Sequence, residues 1–381
     1  MKMTRSCRRT DLLFDARQID QSGIGTYISA QLPHLEEVLG AHNRTLTVLA
    51  DPHNAPPVRA GTQLFFSDPA EAPVYSLAEQ RAWDHALRSV QPKAFWTPHY
   101  PFPFALLRPS ARKVLTFITV HDDNHLLPTD TSGQSRGRRL YARTMLQIGA
   151  RRSRVIFTPS SAAADALAKY VPSAQFVVTS IPLSPVWFDS ADAAQSPVQG
   201  KFILYLGNVK RHKNLPVLLK AYDEIQQDIP HTLVIAGSGA SVRTLDDRVR
   251  TLATALGDRV QMLGRLEFAR LRSLMAAADL LVMPSFNEGA GLPPLEAMAS
   301  GTAVLASAIP SLQETCGDGA DYFNPHDPRE LAGLMRTYCL DRGAHAQLTA
   351  RGAAHVSRRQ SRIAVGAAGE AICAELDRMN S

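Results

Sequence analysis

The sequence predicts an α/β protein built as two doubly wound domains facing an interdomain cleft, and three observations carry that prediction. Short apolar runs rich in β-branched residues alternate with helical-period stretches along almost the whole chain, as parallel strands joined by crossover helices do. The 381 residues exceed one ordinary domain, and a composition of 45% hydrophobic and 20% charged residues can fill two cores. The runs also fall into two series, separated by the polar stretch VWFDSADAAQSPVQGK at residues 186–201, which reads as a linker.

Strand-like runs of the first series lie at residues 46–50, 94–98, 114–120, 155–159 and 176–181. Those of the second lie at residues 202–206, 232–236, 260–263, 280–283 and 303–307. The boundary is expected near residue 190, which gives domains over residues 1–190 and 191–360. Three helical stretches follow Asp327, and the last, within residues 361–381, is expected to cross back to the first domain. No repeat period occurs, which excludes a solenoid. Doubly wound sheets bind ligands beyond the carboxyl ends of their strands, so functional residues are sought in the segments that follow them.

With 41 Lys+Arg against 35 Asp+Glu, the net charge of +6 favours anionic partners. Cys7, Cys316, Cys339 and Cys373 have neither CxxC spacing nor the density of a disulfide framework, and they read as reduced thiols in a cytoplasmic protein. The basic start has an apolar stretch, residues 12–14, far shorter than a signal-peptide core, and no apolar run is long enough to span a bilayer. Any membrane contact is then expected to be peripheral.

After residues 202–206 comes GNVKRHKN, in which Gly207 permits a sharp exit from the strand and Lys210, Arg211 and Lys213 form an anion clamp. Asn214 is expected to cap the helix that follows over residues 215–225. A solvated basic turn would read the same way in isolation. More specific is FNEGAGLPPLEAMASG: Gly289 and Gly291 allow close backbone approach to a ligand, while Pro293 and Pro294 are tolerated only in the first turn of a helix. That helix is expected over residues 292–299. Glu288 and Glu296, eight positions apart beside a helix start, suit a ligand bearing both hydroxyls and phosphate.

These residues resemble the signature of the retaining glycosyltransferases of family 4, the glycosyl transferases group 1, which have the GT-B fold of two Rossmann-like domains. LYLGNVKRHKNLPVLL (residues 204–219) is similar to the family's donor-diphosphate loop, and DARQIDQSGIGTY (residues 15–27) to its N-terminal Gly-rich loop. FWTPHYPFP, TVHDDNHLLP and FTPSSAAADALAKY extend the resemblance through the first domain. The resemblance implies that Lys213 binds the donor diphosphate, that Glu288 contacts the transferred sugar and that Glu296 holds the ribose. Gly289, Ala290, Gly291 and Leu292 would offer backbone amides, with Gly207 and Asn208 beside the phosphates. Gly264 and Arg265 fall where the family receives the base. Gly23, Gly25, His121 and Asp122 match donor-side positions of the first domain, with His121 at the sugar. Asn208 stands where many relatives have Arg, which leaves either Lys213 to carry the phosphate charge with less help or Arg211 to substitute; Ala290 replaces a frequent Phe, and Thr26 a frequent Arg.

The implied activity is retaining, metal-independent transfer of a hexose, mannose from GDP-mannose, to a carbohydrate or polyprenyl-linked acceptor in polysaccharide biosynthesis. No cofactor is expected, the nucleotide-sugar being a co-substrate. A UDP- or dTDP-sugar donor, a nucleotide-sugar epimerase and a non-catalytic carbohydrate-binding scaffold are the alternatives. The run His121-Asp122-Asp123-Asn124-His125 also invites a metal reading, but no second His/Cys cluster stands at ligand spacing. Walker A and complete GxGxxG sequences are absent, which argues against P-loop and ordinary dehydrogenase chemistry.

Arg136, Arg139 and Arg143 fall on one face of a predicted helix, with Leu140, Met145, Leu146 and Ile148 available to insert into an anionic membrane surface or to pack at home. No aromatic-interleaved basic motif accompanies them, so nucleic acid is not an expected partner.

Overall fold

The computed structural model describes residues 10–20, 22–237 and 247–379, so Cys7 lies outside the described residues. The described residues divide into two parallel-sheet α/β units: those up to Asp123 with 137–182 and the segment from Ala364, and 124–136 with 183–363.

The first unit holds a seven-stranded sheet of β1 (Leu12–Asp15), β2 (Leu46–Ala50), β3 (Gln63–Phe66), β4 (Ala94–Thr97), β5 (Leu115–Thr119), β6 (Ser153–Thr158) and β7 (Phe176–Val178), in the order 3-2-1-4-5-6-7. The second holds six strands, β8 (Phe202–Leu206), β9 (Thr232–Ala236), β10 (Val260–Gly264), β11 (Leu280–Met283), β12 (Ala303–Ser307) and β13 (Asp321–Phe323), in the order 10-9-8-11-12-13. Every pairing is parallel. Helices cover both faces of such sheets, which is why the central strands are unbroken apolar runs such as LTVLA, FILYL and TLVIA. In each sheet the strand order reverses beside the first strand, at β1/β4 and at β8/β11. These are the switch points at which open α/β sheets bind ligands.

Three strands escape the sequence reading. β1 is only LLFD, yet it is central and fully buried. β3 and β13 are edge strands of four and three residues whose side chains, Phe323 aside, are partly exposed, so neither shows a long apolar run.

The stretch expected as a linker belongs to the second unit. Leu183, Trp187 and Val198 are buried in its core with Phe202, Leu204 and Leu274, and the Gln360 side chain both donates to and accepts from the Leu183 backbone, at 3.1 Å each. The polar residues between these anchors conceal them, and the division falls after Pro182 rather than near residue 190. The final helix, Ala367–Arg378, packs on Ser22–Ala41, where a Cβ on Gly369 would come 2.8 Å from Val38.

Of the segment expected as a Gly-rich loop, residues 17–20 form a turn and the part from Ser22, with Gly23 and Gly25, is the first turns of the helix Ser22–Ala41. Gly25 is required there: an added Cβ would lie 2.0 Å from the Ile19 carbonyl oxygen. The arginine-rich helix Arg136–Arg152 buries Met145 and Leu146 in its own unit. Leu140 is left 67% exposed, so the apolar surface offered outward is smaller than the sequence suggested.

Candidate functional site

The second unit's switch point gathers side chains from two loops. After β8 the chain passes Gly207 and Asn208 into a short turn, Arg211–Lys213, and then the helix Leu215–Ile225. That helix is amphipathic, and Leu215, Leu218, Leu219, Tyr222 and Ile225 seat it on the sheet. After β11 the chain passes Ser285 and Glu288 into the helix Leu292–Ala299. Asn214 clamps the two loops together: its amide donates to the carbonyls of Pro284 at 3.0 Å and Pro325 at 2.7 Å. It holds a left-handed backbone (φ 53°, ψ 38°) and does not cap the helix with its side chain, contrary to the sequence expectation. The Phe286 N–H donates to the His212 carbonyl at 2.7 Å, a second tie between the loops.

Lys213 and Glu288 meet within this frame. The Lys213 ammonium lies 2.7 Å from both carboxylate oxygens of Glu288, and the Ser285 hydroxyl donates to Oε1 at 2.5 Å. Their side chains are 16% and 8% exposed, so the pair is largely desolvated while solvent still reaches it. Desolvation strengthens the mutual attraction and raises the cost of leaving either charge alone. The Tyr205 hydroxyl donates to the Asn208 carbonyl at 2.9 Å; burial, with Glu288 nearby, pushes its ionisation far above the ordinary tyrosine range.

The loop beyond Glu288 offers donors. Gly291 holds the left-handed conformation (φ 59°) at the helix start, and a Cβ there would press to 2.8 Å on Leu312, so only glycine fits. The N–H groups of Ala290, Gly291 and Leu292 donate to nothing among the described residues. Pro293 and Pro294 carry no N–H, which concentrates the helix's donor capacity on those three positions. Gly289 lies buried between Glu288 and these amides. One turn further on, Glu296 is half-buried, and desolvation pushes its carboxyl up to about 7.

Strand-end glycines form the adjacent rim. The Gly207 N–H donates to the Ala236 carbonyl at 3.0 Å, and the Gly237 N–H to the Gly264 carbonyl at 2.7 Å. Gly237 was not picked out from the sequence, although it follows β9 as Gly207 follows β8; Ser285 was missed because a lone serine carries no spacing signal. Arg265 is exposed just past Gly264. The Asn208 Oδ1 is buried and accepts no hydrogen bond among the described residues. Arg211 does not join the Lys213–Glu288 pair: its aliphatic stem lies against Gly133, within 3.3 Å of where a Cβ on that glycine would sit.

The first unit's switch point is composed differently. Asp15, at the end of β1, accepts from Arg17 Nε at 2.9 Å, Arg17 Nη2 at 2.7 Å and Trp83 Nε1 at 2.6 Å. Burial raises the Asp15 carboxyl, but the Arg17 guanidinium outweighs it and holds the group below the usual aspartate value. Glu79 lies 3.7 Å from Arg17 and pairs with His99 Nε2 at 2.8 Å. His121, beyond β5, donates from Nε2 to the Pro98 carbonyl at 2.7 Å and meets the edge of Tyr27 at 5.0 Å between ring centroids. Burial depresses its pKa below the ordinary histidine value against the opposing pull of that carbonyl and of Asp122. The imidazole is therefore neutral near pH 7 with its proton on Nε2, which leaves Nδ1 as an acceptor.

Cys316 and Cys373 are buried free thiols and Cys339 is half-buried. Among the described residues no group of three or more His, Cys, Asp and Glu side chains is placed to hold a metal ion, and no helix is long and apolar enough to cross a membrane.

Residues 189–355, which contain the Lys213–Glu288 pair, match the family described as Glycosyl transferases group 1. The chain is 30% identical over 246 residues to the O-antigen chain mannosyltransferase RfbU of Salmonella typhimurium, a match covering 64% of each chain, and thus somewhat under two thirds of that relative's length. It is 28% identical over 298 residues to the O-antigen chain mannosyltransferase B of Escherichia coli, covering 74% of this chain and 75% of the other. The sucrose-phosphate synthase of Thermosynechococcus elongatus superposes with a TM-score of 0.72 at 19% identity, covering 98% of both chains, which establishes the fold. With its two parallel α/β sheets the chain has the GT-B fold, its residues 189–355 match the glycosyl transferases group 1, and it is similar to these mannosyltransferases.

Proposed function

We propose that the protein is a retaining hexosyltransferase that transfers mannose from GDP-mannose to a carbohydrate or polyprenyl-linked acceptor in polysaccharide assembly. The observation that carries this reading is the Lys213–Glu288 pair at the β8/β11 switch point, beside the undonated amides of residues 290–292. A nucleotide diphosphate-sugar supplies what each partner needs. The diphosphate replaces Glu288 as the counter-ion of Lys213, and the sugar hydroxyls donate to the carboxylate that Lys213 releases. As the anomeric C–O bond breaks, charge grows on the leaving diphosphate, where the Lys213 ammonium and the loop amides stabilise it. Glu288 and Glu296 sit on one loop and helix rather than across a scissile bond, so neither is arranged as the partner acid of a two-carboxylate hydrolase. His121, neutral and with Nδ1 unprotonated, can accept from a sugar hydroxyl. The O-antigen mannosyltransferase relatives support the mannose assignment, while GDP as the donor nucleotide is carried over from the resemblance to the family. The exposed arginines of helix Arg136–Arg152, with Leu140 and Tyr141, favour peripheral contact with an anionic membrane surface, which would suit a lipid-linked acceptor.

Release of nucleoside diphosphate from GDP-mannose, set against UDP- and dTDP-sugars with and without an oligosaccharide acceptor, tests the reading. Acceptor-dependent release that Glu288→Ala abolishes while the protein stays folded is the expected result. Isomerisation of the donor without acceptor would instead mark an epimerase, and binding without turnover a scaffold.

A further inference from the structure

The first unit carries an outward surface that its own core does not use. The helix Leu77–Val90 starts after Ser76, whose hydroxyl accepts from the Glu79 N–H at 3.1 Å, and it buries Ala82, Trp83, Ala86 and Val90. Leu77, in its first turn, is left 75% exposed. Beside it runs the short helix Phe104–Leu107, anchored by the buried Leu106. Gln80 pins the two together: its amide donates to the Phe102 carbonyl at 3.2 Å, and its Oε1 accepts from the Phe104 N–H at 2.9 Å. The Leu106 carbonyl accepts from Arg152 at 3.0 Å. Residues three apart in such a tight helix share a side, so Phe104 and Leu107, 44% and 46% exposed, face solvent together. Leu77 and Phe104 line one recess of about 240 Å³.

Cations accompany these apolar side chains. Arg81 and Arg108 line the same recess, and Arg112 and Lys113, both exposed, follow in the chain. Asp84 pairs with Arg88 and Arg108, but the side chains of Arg81, Arg112 and Lys113 have no hydrogen-bond or ion-pair partner among the described residues. No Asp or Glu occurs from residue 85 to residue 121. Leu and Phe flanked by Arg and Lys suit the boundary of an anionic bilayer, where apolar tips enter the acyl region and cations meet headgroup phosphates. A second copy of the same face would bring like charges together, which disfavours self-association. We propose that Leu77, Phe104 and Leu107 insert into an anionic membrane surface, with Arg81, Arg108, Arg112 and Lys113 on the headgroups. This contact rests on the membrane association proposed above and supplies its inserting face; of the large apolar side chains on the arginine helix, only Leu140 and Tyr141 are exposed.

Co-sedimentation of the full chain with phosphatidylglycerol vesicles, set against neutral phosphatidylcholine vesicles, tests the proposal. The native chain should bind the anionic vesicles, and Leu77→Ser/Phe104→Ser/Leu107→Ser should lower its partition coefficient at least tenfold. Arg81→Gln/Arg112→Gln/Lys113→Gln should weaken binding and reduce its dependence on salt. Leu77→Ser alone, at the most exposed of the three sites, should still lose several-fold should the triple variant unfold. Phe104→Trp should gain blue-shifted emission on vesicles and be quenched by lipids with brominated acyl chains. Nucleoside diphosphate release with a soluble acceptor should be unchanged in all these variants, so failure of the donor reading and failure of this surface are distinguishable. No binding to anionic vesicles, equal binding to neutral ones, or equal binding by native and variant chains would overturn the proposal. So would a loss that follows Arg139→Gln/Arg143→Gln instead, or a dimer of the native chain that the serine variants dissociate.

Discussion

At the β1/β4 switch point of the first unit, the strand ends are filled by the protein's own charges. Asp15, Arg17, Glu79 and His99 are all under a tenth exposed and paired among themselves, and Trp83 both donates to Asp15 and lies beneath Arg17 at 5.2 Å. At the β8/β11 switch point of the second unit, the equivalent position holds one solvent-reachable ion pair and a loop of undonated amides. The same topology thus hosts a satisfied network in one sheet and exchangeable partners in the other. A ligand can compete for Lys213 and Glu288 because each has the other as its main partner. It cannot compete for Asp15, whose oxygens accept from three side-chain donors held in a dry site.

This contrast can be broken at several points. The largest effect is expected from Asp15→Ala, which leaves the Arg17 guanidinium buried without its main counter-ion; unfolding free energy should fall by about 3–5 kcal/mol. Chemical denaturation checks it, and a variant of native stability would show that the network is not structural. Lys213→Ala should instead leave stability nearly intact and lower kcat/KM by about 10²–10³, the loss seen when one preorganised donor to a developing anion is removed. Steady-state turnover near the native level would dismiss Lys213 from the phosphate role.

A smaller loss, about 1–3 kcal/mol, is expected from Gly25→Ala, because the chain must shift to separate the new Cβ from the Ile19 carbonyl. Thermal unfolding would read it, and an unchanged Tm would mean that the turn yields freely. The smallest effect concerns Glu296. Its folded-state pKa, raised to about 7, lies above the unfolded value, so the native state holds a proton that the unfolded chain has released. Stability from this group is therefore present below the unfolded pKa and is lost as pH rises through about 7. Glu296→Gln should flatten that part of the Tm-against-pH profile, and a variant with the native slope would assign the titration to another group.

Much of this was legible in the chain. The apolar runs of β8 through β12 and the helices Leu215–Ile225 and Leu292–Ala299 follow from periodicity, since buried parallel strands and amphipathic helices leave an unambiguous pattern. The Glu288-to-Glu296 segment was legible because glycines and prolines report backbone conformations that few other residues tolerate. β1 was missed because four residues carry almost no period, and Trp187 because its anchoring partner Val198 lies eleven positions away across polar sequence. Asn214 was read as a cap because its sequence neighbours suggest one, while its actual acceptors, Pro284 and Pro325, are 70 and 111 positions distant.

By itself, the sequence determined the α/β class, the order of the second sheet's main elements and the residue types that gather at its switch point, because local backbone preference and hydrophobic period act within a few residues. Only the tertiary structure decided the pairings: that Lys213 closes on Glu288, that Ser285 supports the same carboxylate, that Arg211 turns toward Gly133, and that Asp15 is sealed by Trp83. Such contacts join segments far apart in the chain, and their strength depends on how much water the surrounding packing removes. No local pattern encodes that.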